Sequence, residues 1–124
     1  LPLHPRTKKT IESLDVDLNV HTVEPLGYLA MVYLFKHCEY VLSDSGGMQK
    51  EAYFFKKRCI VLRDETEWTE LVECGANRLV GAIKANIISA VAEPTNNIDF
   101  SGEFYGAGNA ANKIVDYLHA YRAN

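Results

Sequence analysis

Short apolar runs, each closed by polar or glycine residues, alternate along this chain with longer segments whose apolar positions recur at helical spacing. The first run, Leu1 to His4, reads as a strand. Pro5, fixed in φ, then opens a loop or the first turn of a helix in which Ile11 and Leu14 share a face. Asn19 to Val23 is a second β run, closed by the turn Glu24-Pro25-Leu26-Gly27. Tyr28 to Cys38 is apolar nearly all round, which predicts a helix buried between a sheet and another element. Three further strands are predicted over Tyr40–Leu42, Arg58–Leu62 and Arg78–Gly81. Met48–Phe55 reads as a helix. A second helix is predicted from Thr66, as N-cap with Glu67 and Glu70 in its first turn, to Gly75 as C-cap residue. Lys84–Ala92 is helical until Pro94 stops it, 95–102 is polar and irregular, and Asn109–Arg122 carries Ile114, Val115, Leu118 and Tyr121 on one stripe.

Three or four strand-then-helix units, with polar and glycine residues gathered after the strands, predict an α/β fold: a Rossmann-like open parallel sheet flanked by helices. The stretch that organises it is VLSDSGGMQKEA, Val41 to Ala52. A strand ends abruptly in Asp44, Ser45, Gly46 and Gly47, and a helix starts at once. Asp44 or Ser45 can cap that helix, and the two glycines leave its end free of side chains. Free N–H groups and the positive end of the helix dipole make such a turn a phosphate site, at the sheet edge where ligands bind. Glu51, one turn beyond Gly47, is placed to accept hydrogen bonds from a pair of sugar hydroxyls. The alternative is a plain α/β connection with Glu51 as a solvated helix residue.

Composition narrows the picture only modestly. With 124 residues, nearly half of them apolar, and a formal charge of −3, the chain is long enough for one modest core and carries no nucleic-acid footprint. Cys38, Cys59 and Cys74 sit in or beside apolar segments without CxxC spacing, and read as buried free thiols in a reducing compartment. No apolar run is long enough to span a bilayer, so a cytoplasmic protein is the expectation. Because Leu1 already lies in an expected strand, the chain is expected to be a truncated piece of something longer.

Other candidate groups lie at strand ends. His4 follows the first run, and Arg6, Lys8 and Lys9 form a basic cluster that is either a phosphate lure or a solvated face. Backbone groups near Leu26 and Met31, at the start of an apolar helix, can read a flat polar ring, although Met31 is equally a core residue. Arg63 either binds a carboxylate or phosphate or pairs with the acids around it. Trp68, the only tryptophan, either stacks on a ring or wedges into the core. Gly106-Ala107-Gly108-Asn109-Ala110-Ala111 has the form GxGxxA but lacks the preceding strand that a dinucleotide fingerprint requires, and reads as a turn leading into a close-packed helix. His4, His21, His37 and His119 lack metal-like spacing.

The ordered series HPRT, EPLGYL, VLSDSGG followed by Gln and then Glu, LRDETE, LVECG, RLVG and FYG resembles the C-terminal domain of the UDP-N-acetylglucosamine 2-epimerase family, over almost the whole chain. The resemblance implies a single UDP-binding domain over residues 1–124, the C-terminal half of a GT-B-type two-domain fold. It implies that Ser45, Gly46 and Gly47 bind the diphosphate, that Glu51 takes the ribose hydroxyls, and that backbone groups of Leu26 and Met31 hold the uracil. The reaction it implies is inversion of C2 of the sugar by elimination and re-addition of UDP, with no metal or other cofactor. The catalytic carboxylates would come from the N-terminal domain of the same enzyme, so this chain alone is expected to be inactive, and a homodimer is expected for the full-length form. Trp68 stands where many members have an Arg that faces the phosphates. DETEW followed by ELVE looks more like the relatives acting on UDP-2,3-diacetamido-2,3-dideoxyglucuronate. Lys56 replaces the usual helix-ending Gly, and Ala107 replaces an Asp. The alternatives are the donor-binding domain of a GT-B glycosyltransferase and a UDP-binding domain without catalysis.

Overall fold

The computed structural model describes residues 1–95 and 98–122. The chain divides into two compact units, Leu1–Glu39 and Tyr40–Asn124.

The first unit holds α1 (Pro5–Ser13) and α2 (Tyr28–His37). Pro5 occupies the first helical position, where its missing N–H costs nothing, and His4 Nδ1 accepts the Arg6 N–H at 3.2 Å as the N-cap. The helix ends with Asp15 at φ 50, the Asp15 N–H reaching the Glu12 carbonyl and the Val16 N–H the Ile11 carbonyl, a Schellman closure. The two expected strands of this unit are not formed as such. Leu1–His4 and Asn19–Val23 meet in a single parallel bridge, Pro2 to Val23, with Leu3 N–H on the Val23 carbonyl and Val23 N–H on the Leu1 carbonyl. Pro2 has no N–H to extend the ladder, and Pro5 turns the chain into α1. The burial expected of α2 is also corrected: Phe35 is its buried side chain, while Tyr28, Leu29 and Tyr33 are exposed. An all-round apolar pattern anticipates cover on every side, and the described residues cover one.

The second unit is built on a parallel sheet of β1 (Tyr40–Ser43), β2 (Arg58–Val61) and β3 (Asn77–Leu79), in that order. Val41 pairs with Cys59, and Cys59 with Asn77. The central strand is buried along its whole length, which is why Cys59, Ile60 and Val61 form a continuous apolar run rather than alternating with polar residues. Between the strands run α3 (Gly46–Phe54) and α4 (Thr69–Glu73), and α5 (Lys84–Ala92) and α6 (Ala110–Arg122) follow. Ile60 packs with Val80 and with Ala90 of α5, while Tyr53 of α3, Leu71 of α4 and Ala76 form a second cluster, against which Trp68, Phe100 and Tyr105 pack. Arg58, though buried, is fully engaged: its guanidinium donates to the Ala90 carbonyl at 3.1 Å and to the Glu93 carboxylate at 2.7 Å, and Arg78 pairs with the same carboxylate. Two cations therefore sit at the negative end of α5. All three cysteines are free, and burial pushes the Cys59 thiol up to about 12, leaving it inert as a nucleophile.

Several boundaries shift. α3 begins at Gly46 rather than Met48, and α4 at Thr69 rather than Thr66, with Trp68 at the N-cap position. Gly75, at φ 78, closes α4 as expected. Lys56, at φ 54, closes α3 in the left-handed conformation. Gly106 and Gly108 form a turn before α6, as read, but the close packing expected of that helix is not found: Ile114, Val115, Leu118 and Tyr121 are all exposed. Of the irregular stretch 95–102, residues 96 and 97 lie outside the described residues.

Candidate functional site

The turn after β1 is where the sequence placed it. Ser45 is the N-cap residue of α3, with extended backbone at φ −82 and ψ 125, but neither its hydroxyl nor the Asp44 carboxylate caps the helix. Instead the Ser45 N–H donates to Ser43 Oγ at 3.1 Å, which holds the turn from behind. The first N–H taken up within the helix is that of Gln49, on the Ser45 carbonyl. The N–H groups of Gly46, Gly47 and Met48 therefore keep the donor capacity of a helix start, on a backbone without Cβ atoms at 46 and 47 that is half-buried at Gly46 and Met48 and exposed at Gly47. That is the physical requirement for close approach of an anion. Glu51 is half-buried on the same helix, and among the described residues its carboxylate is in no ion pair.

The β2–α4 loop closes over this turn. A Cβ at residue 46 would run into the Glu67 carboxylate and come within 3.4 Å of Trp68 Nε1, so a side chain here would displace the Glu67 carboxylate. The Trp68 indole N–H donates to the Gly46 carbonyl at 3.0 Å. Its ring meets Tyr105 edge-on at 5.9 Å, and the Lys50 ammonium lies over both rings, 4.5 Å from one centroid and 4.4 Å from the other. Trp68 is thus a core wedge tied to the site rather than an open stacking platform. Arg63 takes the ion-pair reading: its Nη1 is 3.2 Å from Glu67 Oε2, a partly exposed pair that places one cation and one carboxylate beside Gly46. Behind the loop, the Tyr105 hydroxyl donates to Glu70 at 2.6 Å. That bond holds the Glu70 carboxyl below its usual range, while burial first and then Glu70 push the Tyr105 phenol up.

Ser45, Gly46, Gly47, Arg63 and Trp68 are thereby brought together, with Glu51 on the next turn. His4, Leu26 and Met31 belong to the first unit. His4 Nδ1 is engaged as the α1 cap, Leu26 is half-buried in the turn before α2, and the Met31 N–H donates to the Gly27 carbonyl at 3.1 Å, so that amide is engaged within the helix. The free N–H groups at the start of α2 belong to Tyr28, Leu29 and Ala30 instead. The sequence reading missed Gln49, Thr66 as a loop anchor, and Glu67. Gln49 was legible in principle: with Ala52 and Tyr53 it follows i, i+3, i+4 spacing, which puts an amide on the buried stripe of α3.

The sequence model of the family described as UDP-N-acetylglucosamine 2-epimerase matches residues 1–119. The chain belongs to that family. It is 50% identical over 119 residues to UDP-2,3-diacetamido-2,3-dideoxy-D-glucuronate 2-epimerase of Pseudomonas aeruginosa, covering 95% of this chain and 34% of that protein. Among solved structures it is similar to UDP-GlcNAc 2-epimerase of Methanocaldococcus jannaschii in complex with UDP-GlcNAc and UDP. That match has 39% identity and TM-score 0.76, over 96% of this chain and 34% of the other. It is likewise similar to the Neisseria meningitidis enzyme bound to UDP-GlcNAc, with 40% identity and TM-score 0.70, over 96% of this chain and 35% of the other. The chain spans about a third of the length of these relatives. The α/β open parallel sheet seen here is accordingly that of the GT-B-type fold of the 2-epimerases, as expected. Among the described residues no helix is long and apolar enough to cross a membrane.

Proposed function

We propose that this chain is the nucleotide-binding part of a UDP-sugar 2-epimerase, holding the UDP moiety while C2 of the sugar is inverted by elimination and re-addition of UDP. The observation that carries this reading is the start of α3: the backbone N–H groups of Gly46, Gly47 and Met48 without a side-chain cap, separated from a parallel strand by two residues. In this reading the Gly46 and Gly47 amides hold the diphosphate and Ser45 adds its hydroxyl. Glu51 accepts from the ribose hydroxyls. Arg63, released from Glu67, faces the phosphates where Trp68 offers no charge. The acid and base come from outside these residues, in the N-terminal domain of a cytoplasmic enzyme, so the chain alone binds without turning over. Support comes from the two relatives whose structures contain UDP-GlcNAc. The identity to the Pseudomonas aeruginosa protein favours a diacetamido-glucuronate sugar over N-acetylglucosamine as the substrate of the whole enzyme.

The test is calorimetric titration with UDP and with UMP, comparing the native chain with Gly47→Ala. A Cβ at 47 meets nothing nearer than Ser45 Oγ at 3.9 Å, so the fold tolerates it, but it stands in the path of a phosphate. UDP is expected to bind more tightly than UMP and to lose about tenfold in affinity in the variant, the worth of one good hydrogen bond to a charged group. Equal binding of UDP and UMP, or UDP affinity unmoved by Gly47→Ala, overturns the placement. Titration with the two candidate UDP-sugars then separates the substrates.

A further inference from the structure

Gln49 sits one turn after Gly46 on α3 and is fully buried. Its amide oxygen accepts the Thr66 hydroxyl at 2.7 Å and the Asn77 amide at 2.9 Å. Thr66 Oγ1 in turn accepts the Trp68 backbone N–H at 3.2 Å, and the Trp68 indole returns to α3 through the Gly46 carbonyl at 3.0 Å. These bonds close a circuit from α3 to the β2–α4 loop and back to the first turn of α3, with Asn77 anchoring it to β3. The arrangement is costly: Gln49 Nε2 and Asn77 Oδ1 are buried with no hydrogen-bond partner among the described residues, although an apolar residue on this stripe would leave no such group. Polar groups that fix geometry while costing stability are expected where a site must be held in shape before its ligand arrives.

We propose that Gln49 and Thr66 are positioning residues for the nucleotide site: they hold Trp68, and through its indole the peptide that joins Gly46 to Gly47, so that the Gly47 N–H is aimed before the diphosphate binds. The proposal rests on the diphosphate reading of the Ser45–Gly47 turn. Glu51 and the other contacts to UDP keep their roles; what the circuit sets is the orientation of one amide, that of Gly47. Losing it therefore weakens UDP more than UMP, whereas general loosening of the fold weakens both alike.

Thr66→Val keeps the shape of the side chain and removes the hydroxyl, and Thr66→Ser restores it. Two measurements are made on each. In the ligand-free protein, exchange of the indole proton of the sole tryptophan with solvent is followed by NMR. It is expected to speed up about tenfold in Thr66→Val and to stay native in Thr66→Ser. By calorimetry, the preference for UDP over UMP is expected to fall about tenfold in Thr66→Val and to be regained in Thr66→Ser. Indole exchange equal in all three proteins, or equal losses for UDP and UMP, overturns the proposal. If the native chain binds neither nucleotide, the functional reading fails by itself, and indole exchange alone decides the circuit. If Thr66→Val does not fold, Trp68→Phe removes the indole donor while keeping a ring in the core. A lower preference for UDP in that variant supports the proposal, and an unchanged one overturns it.

Discussion

Glu67 lies in the structure beside the turn that opens α3. Sequence placed it in the first turn of a helix; the structure sets its carboxylate against Gly46, with Arg63 as its partner. In the proposed reading of this turn, a carboxylate beside the Gly46 and Gly47 amides repels a diphosphate and competes for the nearest guanidinium. Glu67→Gln is therefore expected to tighten UDP binding about threefold to tenfold, the scale of removing one screened charge, with the gain shrinking as salt is added. Weaker binding in calorimetric titrations of the variant would show that Glu67 helps the ligand instead. Ser45, Gly46 and Gly47 were readable as a site because a strand, two glycines and a helix start leave backbone donors open wherever they occur. That the Ser45 hydroxyl leaves the cap unmade was not readable, because capping depends on a side-chain rotamer that the sequence does not fix.

Two elements carry consequences for stability. α3 ends on Lys56 at φ 54, with the Lys56 N–H on the Tyr53 carbonyl and the Lys57 N–H on the Ala52 carbonyl. A side chain in the left-handed region costs about 1 kcal/mol that glycine avoids. Lys56→Gly is accordingly expected to raise stability by about 1 kcal/mol, read from the urea midpoint at constant slope. α4 is held through Glu70, whose carboxyl is kept below its ordinary value chiefly by the Tyr105 hydroxyl. A carboxyl lowered in the folded state contributes stability that is whole above its ordinary pKa and is lost as pH falls through the folded value. Melting temperatures from pH 7 downward should thus fall more steeply for the native chain than for Tyr105→Phe, and parallel curves would remove the bond from the account. The type of each of these helices was legible from apolar spacing and from Gly75. The start of α4 was not, since Thr66 had the chemistry of a cap but is engaged by Gln49 and by the Trp68 N–H.

At the scale of the whole molecule, burial is concentrated in the second unit. β2 is buried throughout, whereas α1 has no buried residue. Amide exchange of Cys59, Ile60 and Val61 is expected to require global unfolding, while the α1 amides exchange through local opening at least about a hundredfold faster. Uniform protection across both units in a native-state exchange experiment would contradict this. Sequence by itself determined the α/β class, the order of the second unit's strands and helices and the position of the Gly46-Gly47 turn, because these depend on local periodicity, glycine and proline, while the family was legible only from the resemblance of the ordered motifs from HPRT to FYG. Only the tertiary structure decided that the first two apolar runs make one bridge rather than strands, that α2 and α6 leave apolar faces exposed, and that Trp68 is a wedge bonded to Gly46. It alone also showed that a buried amide, Gln49, joins the loop to the turn. Each of these depends on which distant residue arrives opposite, and a one-dimensional pattern does not carry that information.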